Sequence, residues 1–318
     1  MCAACDILPP ETKRARFRGC EAPSFRYPAS VARVVELPAR GRLIVGTDLQ
    51  GNVADFERLE EAFREAHAED ADGAILVITG DMVHGPEIPP EHWPDYLGSY
   101  FKADSAEVLG RAEALADAFP DRVHYLLGNH EHAHVGGPVV SKFFADEAER
   151  LEILMGPRRS ALVRAWLLRW PLVAYAPSCG LLFVHGAPNA RIRSAEDIEE
   201  APLSPGPSEG LVDEVIAELL WARTASSSRA RAFLRAIDPS LKVAVYGHDV
   251  AREGFAIDRE PLLCLSTSFG CHDGDKLYLD WDLSEPVRSA ADLASRGLRP
   301  LRPESKPVYR LAAAMSGM

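Results

Sequence analysis

With 318 residues the chain is long enough for one large α/β domain with a substantial core, or for two small ones. Apolar residues make up 47% and charged residues 26%, and no apolar run nears the roughly 18 residues a membrane span needs, so no membrane role is expected. The formal net charge of -12 argues against a broad nucleic-acid surface, while bound cations or a few arginines could still reverse the local sign for an anionic substrate.

Residues 1–41 are rich in Pro, Arg and Cys without a clear period and read as an N-terminal extension. They contain no apolar h-region, so a cytoplasmic location is the default expectation. The cysteines Cys2, Cys5, Cys20, Cys179, Cys264 and Cys271 are then expected as thiols. Cys2 and Cys5 with Cys20 lack an evident fourth zinc ligand. From Arg42 short apolar runs alternate with amphipathic stretches, the signature of an α/β core. Strands are expected over 42–47, 74–79, 122–127, 180–184, 242–246, 261–266 and 276–282. Helices are expected over 53–67, 104–118, 141–155, 158–169 and 211–223, the last with Leu211, Val215, Leu219 and Leu220 on one face. The Pro-rich segments 85–99 and 201–209 read as loops. The arginine-containing stretch 284–318 reads as a peripheral C-terminal extension.

Five of these strands end in residues able to bind metal. Asp48 and Gln50 follow the first, Asp81 the second, Asn129 and His130 the third, His185 the fourth and His248 the fifth. Strand ends form the ligand crevice of α/β sheets, and adjacent glycines let backbone and ion approach closely. A lone Asp there is ordinarily a helix N-cap, and a lone buried His an ordinary hydrogen-bonded core residue. All five in this order point instead to a metal site. Carboxylates, amide oxygens and imidazoles together suit Mn, Fe or Zn. A carboxylate bridging two ions would make a two-metal site for phosphoryl chemistry.

The motifs GTDLQGN (46–52), GDMVHG (80–85), GNHE (128–131), VHGAP (184–188) and YGHD (246–249) resemble the calcineurin-like metallophosphoesterases, and within them the PPP-type serine/threonine phosphatases. The likeness extends to Ser105–Glu131, to Trp170-Pro171-Leu172, and to Leu219-Leu220-Trp221-Ala222-Arg223. It implies a β-sandwich of two mixed sheets flanked by helices, in one domain over 42–283. It also implies two divalent ions, Mn first and Fe or Zn as alternatives. Asp48 and Gln50 would bind the first ion, Asp81 would bridge, and Asn129, His185 and His248 would bind the second. His130 would be the general acid in hydrolysis by metal-activated hydroxide. Arg223, Asn129, His132 and His272 would contact substrate.

The pattern departs from the family in three places. Gln50 stands where most members have His, which leaves open whether the first ion site is complete. His84 stands where the family has the Asp that orients the catalytic histidine. Gly85 stands where it has a phosphate-clamping Arg, a role Lys102 of the inserted segment could take. The first expectation is therefore hydrolysis of phosphoserine or phosphothreonine in proteins. The second is hydrolysis of a small phosphorylated metabolite or dinucleoside polyphosphate. The third is a degenerate phosphatase fold that binds phosphoproteins.

Overall fold

The seven expected strands all form; most are continuous apolar runs able to lie in a sheet covered on both faces, while 277–282 alternates buried and half-buried residues. The computed structural model describes residues 32–70, 72–204, 212–268 and 273–302. In chain order the elements are β1 (Val34–Glu36), β2 (Arg42–Gly46), α1 (Val53–Glu69), β3 (Ala74–Ile78), α2 (Ser105–Ala118), β4 (Val123–Tyr125) and the single turn α3 (Asn129–His132). Then come α4 (Glu147–Leu167), β5 (Val173–Ala176), β6 (Leu181–Val184), α5 (Glu196–Glu200), α6 (Glu214–Trp221) and α7 (Ser227–Ile237). The last are β7 (Val243–Tyr246), β8 (Phe255–Ala256), β9 (Leu262–Leu265), β10 (Leu277–Asp282), α8 (Ala290–Gly297) and β11 (Leu298–Pro300).

They build two mixed sheets, ordered β11-β10-β2-β3-β4 and β1-β5-β6-β7-β9-β8. Strands β2, β3 and β4 run parallel as neighbours, as do β6, β7 and β9. Side chains alternate across each strand, so one set faces the other sheet and the next faces a helix. Leu43, Val45, Ile75 and Val77 share one core with Phe183, Val243, Val245 and Leu263. The intervening Ile44, Leu76, Ile78, Leu182 and Tyr246 join a second core with Phe56, Phe63, Leu109, Leu167 and Phe233 of the helices. This is the expected α/β sandwich with helices on its flanks.

Helix starts follow local sequence. Asn52, Asp104, Asp146, Asp213, Ser226 and Ser289 each accept a first-turn backbone N–H as N-caps. Of the two helices expected over 141–155 and 158–169 the first begins later, at Glu147, and the two meet at Gly156 (φ 75°, ψ 162°), where Pro157 follows a non-helical residue.

Two peripheral readings need correction. Val34–Glu36 of the supposed N-terminal extension pairs in parallel with β5. In the supposed C-terminal extension, β11 pairs with β10, and Ala290, Leu293 and Leu298 are buried in the inter-sheet core. The rest of those segments, 1–31 and 303–318, lies outside the described residues. Cys179 and Cys264 are free buried thiols, as expected. Among the described residues no helix is long and apolar enough to cross a membrane.

Candidate metal centre

The loops after β2, β3 and β4 and those after β6 and β7 meet at one edge of the sandwich. The backbone there is forced into unusual shapes. Asp48 (φ 49°), Gln50 (45°), Asp81 (54°), His84 (65°) and His248 (64°) all have positive φ. Asp121 is the only other non-glycine case among the described residues. Such conformations are disfavoured for L-residues and persist where the surroundings dictate them, commonly at functional sites. Glu131 is one such constraint. Its buried carboxylate accepts N–H bonds from Asp81 (2.8 Å), Met82 (2.8 Å), Val83 (3.3 Å) and Gly128 (3.1 Å), which ties the loop after β3 to the loop after β4. Gly128 permits the approach, since a Cβ at that position would strike Asp81 Oδ1. The motif reading gave Glu131 no role, although its place in GNHE was the available signal.

Around this scaffold the predicted ligands converge. One ligand atom each from Asp81, His185 and His248 lies within 4.8 Å of the others, and all three residues are buried. His185 Nδ1 lies 2.9 Å from the carbonyl of Thr79, so Nδ1 must carry the proton and donate it. The Nε2 lone pair is then directed at Asn129 Oδ1 (2.9 Å) and Asp81 Oδ1 (3.3 Å). Three acceptors facing one another are repulsive without a shared cation. Burial supplies the rest of the fit. It pushes Asp81 up to about 7, and burial with the neighbouring Asp81 charge raises Asp48 well above the usual carboxylate range. Burial lowers His185 to about 4 and His248 to about 3, which keeps both imidazoles neutral. A divalent cation would favour ionised carboxylates and neutral imidazoles together. The residues therefore fit a metal.

The Asp48 side is arranged differently. Its carboxylate accepts the N–H of His248 at 3.2 and 3.1 Å. Gln50 Oε1 accepts from Lys142 Nζ at 2.6 Å, so a cation of the chain already faces the amide expected to ligate the first ion. Lys142 was not anticipated, because it belongs to a loop before α4 that read as helix. The departure at Gly85 has a steric cause. A Cβ there would collide with the Gln50 carbonyl oxygen and with Ala103 Cβ, so the backbone leaves no room for an arginine. Lys102 does not replace it, since it is exposed and paired with Glu107 (3.5 Å) and Asp104 (3.8 Å).

The other predicted residues divide. His130 is buried with Nε2 3.7 Å from Asp81 Oδ2 and its N–H on Asp81 Oδ1. Its Nδ1 lies 3.0 Å from His84 Nδ1. Arg223 sits at the rim, donating to the His248 carbonyl (3.2 Å) and to Asp249 (2.9 Å). Asp249, next to His248 in the chain, is thereby paired with this arginine. The segment before Arg223 is held on the His-Gly turn, where Gly186 and Ala187 donate to the Leu219 and Ala222 carbonyls. His132, next to the His130 turn, bonds the Leu203 carbonyl through Nε2 at 2.6 Å. His272 lies outside the described residues.

Comparison with known proteins agrees with this architecture. The family model for the calcineurin-like phosphoesterases matches residues 41–284. A serine/threonine phosphatase from Saccharomyces cerevisiae with similarity to human phosphatase PP5 superposes with a TM-score of 0.52 at 16% identity, covering 79% of this chain and 76% of that one. A cold-active protein-tyrosine phosphatase from a psychrophilic Shewanella gives 0.53 at 14% identity, covering 82% and 83%. At such identity these likenesses speak for the fold alone. Among curated proteins no sequence match was found.

Proposed function

The chain belongs to the calcineurin-like phosphoesterases, and from that membership we propose that it is a metal-dependent phosphomonoester hydrolase acting most readily on phosphoserine and phosphothreonine in proteins. The observation that carries this reading is the buried convergence of Asp81, His185 and His248, with Asn129 against the His185 ring. These four would hold one divalent ion, and Asp48 with Gln50 a second. The oxygen-rich set with an amide at Gln50 favours Mn over Zn. When bound, such ions supply Lewis acidity toward a phosphoryl oxygen and lower the pKa of a water.

The chain's own residues complete the chemistry. His130 stands beside the cluster with Nε2 directed toward Asp81, placed to hand a proton to the departing alkoxide. Arg223 and Lys142 put two cations at the edge of the cluster, where they can face phosphate oxygens that Gly85 cannot reach. Hydrolysis of p-nitrophenyl phosphate with Mn tests the proposal. The wild-type chain should turn over and Asp81→Asn should lose about a thousand-fold in kcat/KM, on the order of 4 kcal/mol of transition-state stabilisation. Equal rates in both proteins, or none in either, would overturn it.

A second reading, a small phosphorylated metabolite or a dinucleoside polyphosphate, is favoured by the insertion after Gly85. That segment returns across Gly51, to which Asp104 donates, and Ser99 donates to Asp273 of the late loop. The insertion is thus tied both to the loop after β2 and to the late loop. Ranking kcat/KM for phosphopeptides against dinucleoside polyphosphates separates the two.

A further inference from the structure

Where related enzymes place a carboxylate beside the catalytic histidine, this chain has His84, and the structure extends that position into a chain of rings. His84 Nδ1 lies 3.0 Å from His130 Nδ1, and His84 Nε2 lies 2.9 Å from His134 Nε2. His134 Nδ1 lies 3.0 Å from Glu152 Oε1 on α4, and Glu152 is itself paired with Arg164. All three rings are buried, and only Glu152 and Arg164 reach solvent. We infer that His84, His134 and Glu152 form a hydrogen-bonded relay that positions His130 and selects its tautomer, taking the place of the missing carboxylate. The inference rests on the reading of His130 as the acid of a phosphoesterase.

The direction of the relay follows from the donor and acceptor capacities of its members. A carboxylate paired with arginine accepts only, so His134 must donate from Nδ1. In the proposed relay His134 carries that one proton and accepts at Nε2, so the facing His84 nitrogen donates. His84 in turn accepts at Nδ1, which places the proton on His130 Nδ1. His130 Nε2 is left pointing toward Asp81, with a lone pair in the neutral ring and a transferable proton in the cation. Each imidazole passes on the sense of the bond unchanged. Two intervening rings therefore impose the same tautomer that an adjacent carboxylate would, at about two ring widths' greater distance.

Burial supports the neutral state of His84, which it lowers well below the usual range. Backbone contacts hold the ring in place. The His84 N–H donates to Ser105 Oγ at 3.0 Å, and its positive φ is set by the loop that Glu131 ties down. A metal site made of the same rings is ruled out by geometry. The two nitrogens of His84 point to different partners on opposite sides, so the three rings cannot converge on one ion.

The test uses the full chain loaded with Mg and the variants Glu152→Gln, Glu152→Ala and His84→Asp/Glu152→Ala. Nitrogen-15 shifts of the His130 ring report its tautomer directly, and steady-state kinetics with p-nitrophenyl phosphate report turnover. The relay predicts a protonated Nδ1 in the wild type and a mixture of tautomers in Glu152→Ala. It also predicts a kcat reduced roughly ten-fold with KM and metal content unchanged. Returning a carboxylate to position 84 should make turnover insensitive to the loss of Glu152. Unchanged tautomer and kcat in both Glu152 variants would overturn the relay. So would a lower kcat with an unchanged tautomer, which would reduce Glu152 to support of α4. If the wild type hydrolyses no phosphomonoester, the functional reading falls, and the tautomer measurement still decides the relay.

Discussion

Asp48 and Asp55 lie within one loop and one helical turn of each other, and both are fully buried, yet the fold treats their charges in opposite ways. Asp55 is compensated from within the chain. Lys276 Nζ lies 2.5 Å away, Arg302 Nη2 2.6 Å and Ser268 Oγ 2.6 Å. Despite its burial, these partners hold its carboxyl below the usual range. Asp48 has the backbone N–H of His248 and the Thr47 side chain, and faces a second buried carboxylate at Asp81. Its carboxyl is held far above the usual range by burial and by that neighbour. One carboxylate serves structure and carries its own cations. The other is kept uncompensated at a ligand-bearing edge, the condition in which an external cation gains most by binding.

The largest expected effect is on the compensated side. Asp55→Asn leaves Lys276 and Arg302 facing a buried neutral amide and should cost about 3 kcal/mol, read as a lower denaturant midpoint. The acid limb gives the sign. A lowered folded-state pKa means the Asp55 contribution is complete above the unfolded carboxylate pKa of about 4, and is lost as pH falls through the folded value. The wild type should therefore lose stability below about pH 4 more steeply than Asp55→Asn, and equal acid limbs would break the comparison.

Next in size is cation binding on the other side. Mn at one hundred times its Kd should stabilise the wild type by about 2.7 kcal/mol, seen as a rise in Tm. The rise should vanish in Asp81→Asn and persist in Asp55→Asn. A Tm rise of equal size in Asp81→Asn would place the cation elsewhere.

The smallest effect has the opposite sign to the first. In metal-free protein at neutral pH, Asp48→Asn removes the cost of burying a carboxyl whose pKa folding raises, and should raise stability by about 1 kcal/mol while lowering activity. Thermal unfolding after chelation checks this, and a loss of stability would mean Asp48 is compensated after all.

Much of the fold was legible because β2, β3, β6, β7 and β9 are buried on both faces and read as unbroken apolar runs. The strands that escaped were β1, β5, β8 and β11, of two to four residues, lying at a sheet edge or next to one. Such short segments carry too few residues for periodicity to register. Helix α7 also escaped, although its Ser226 cap and the spacing of Ala230, Phe233 and Leu234 were available signals. The order of ligand types along the chain was legible for the same kind of reason. Each ligand directly follows a recognisable strand, so local pattern places it at an end.

The sequence by itself thus determined the fold class, the strand ends and the residue types they carry, since these depend on neighbours a few positions apart. Tertiary structure alone decided the pairings. It set Asp81 against His185 across two sheets, put Lys142 on Gln50, and denied Gly85 a side chain by running the Gln50 backbone against it. It also joined His130 to Glu152 through two intervening rings, and gave Asp55 cations from more than two hundred residues away. Hydrogen-bond partners and charge compensation are chosen by distance in space, and in a sandwich of two sheets the nearest groups in space are seldom near in sequence.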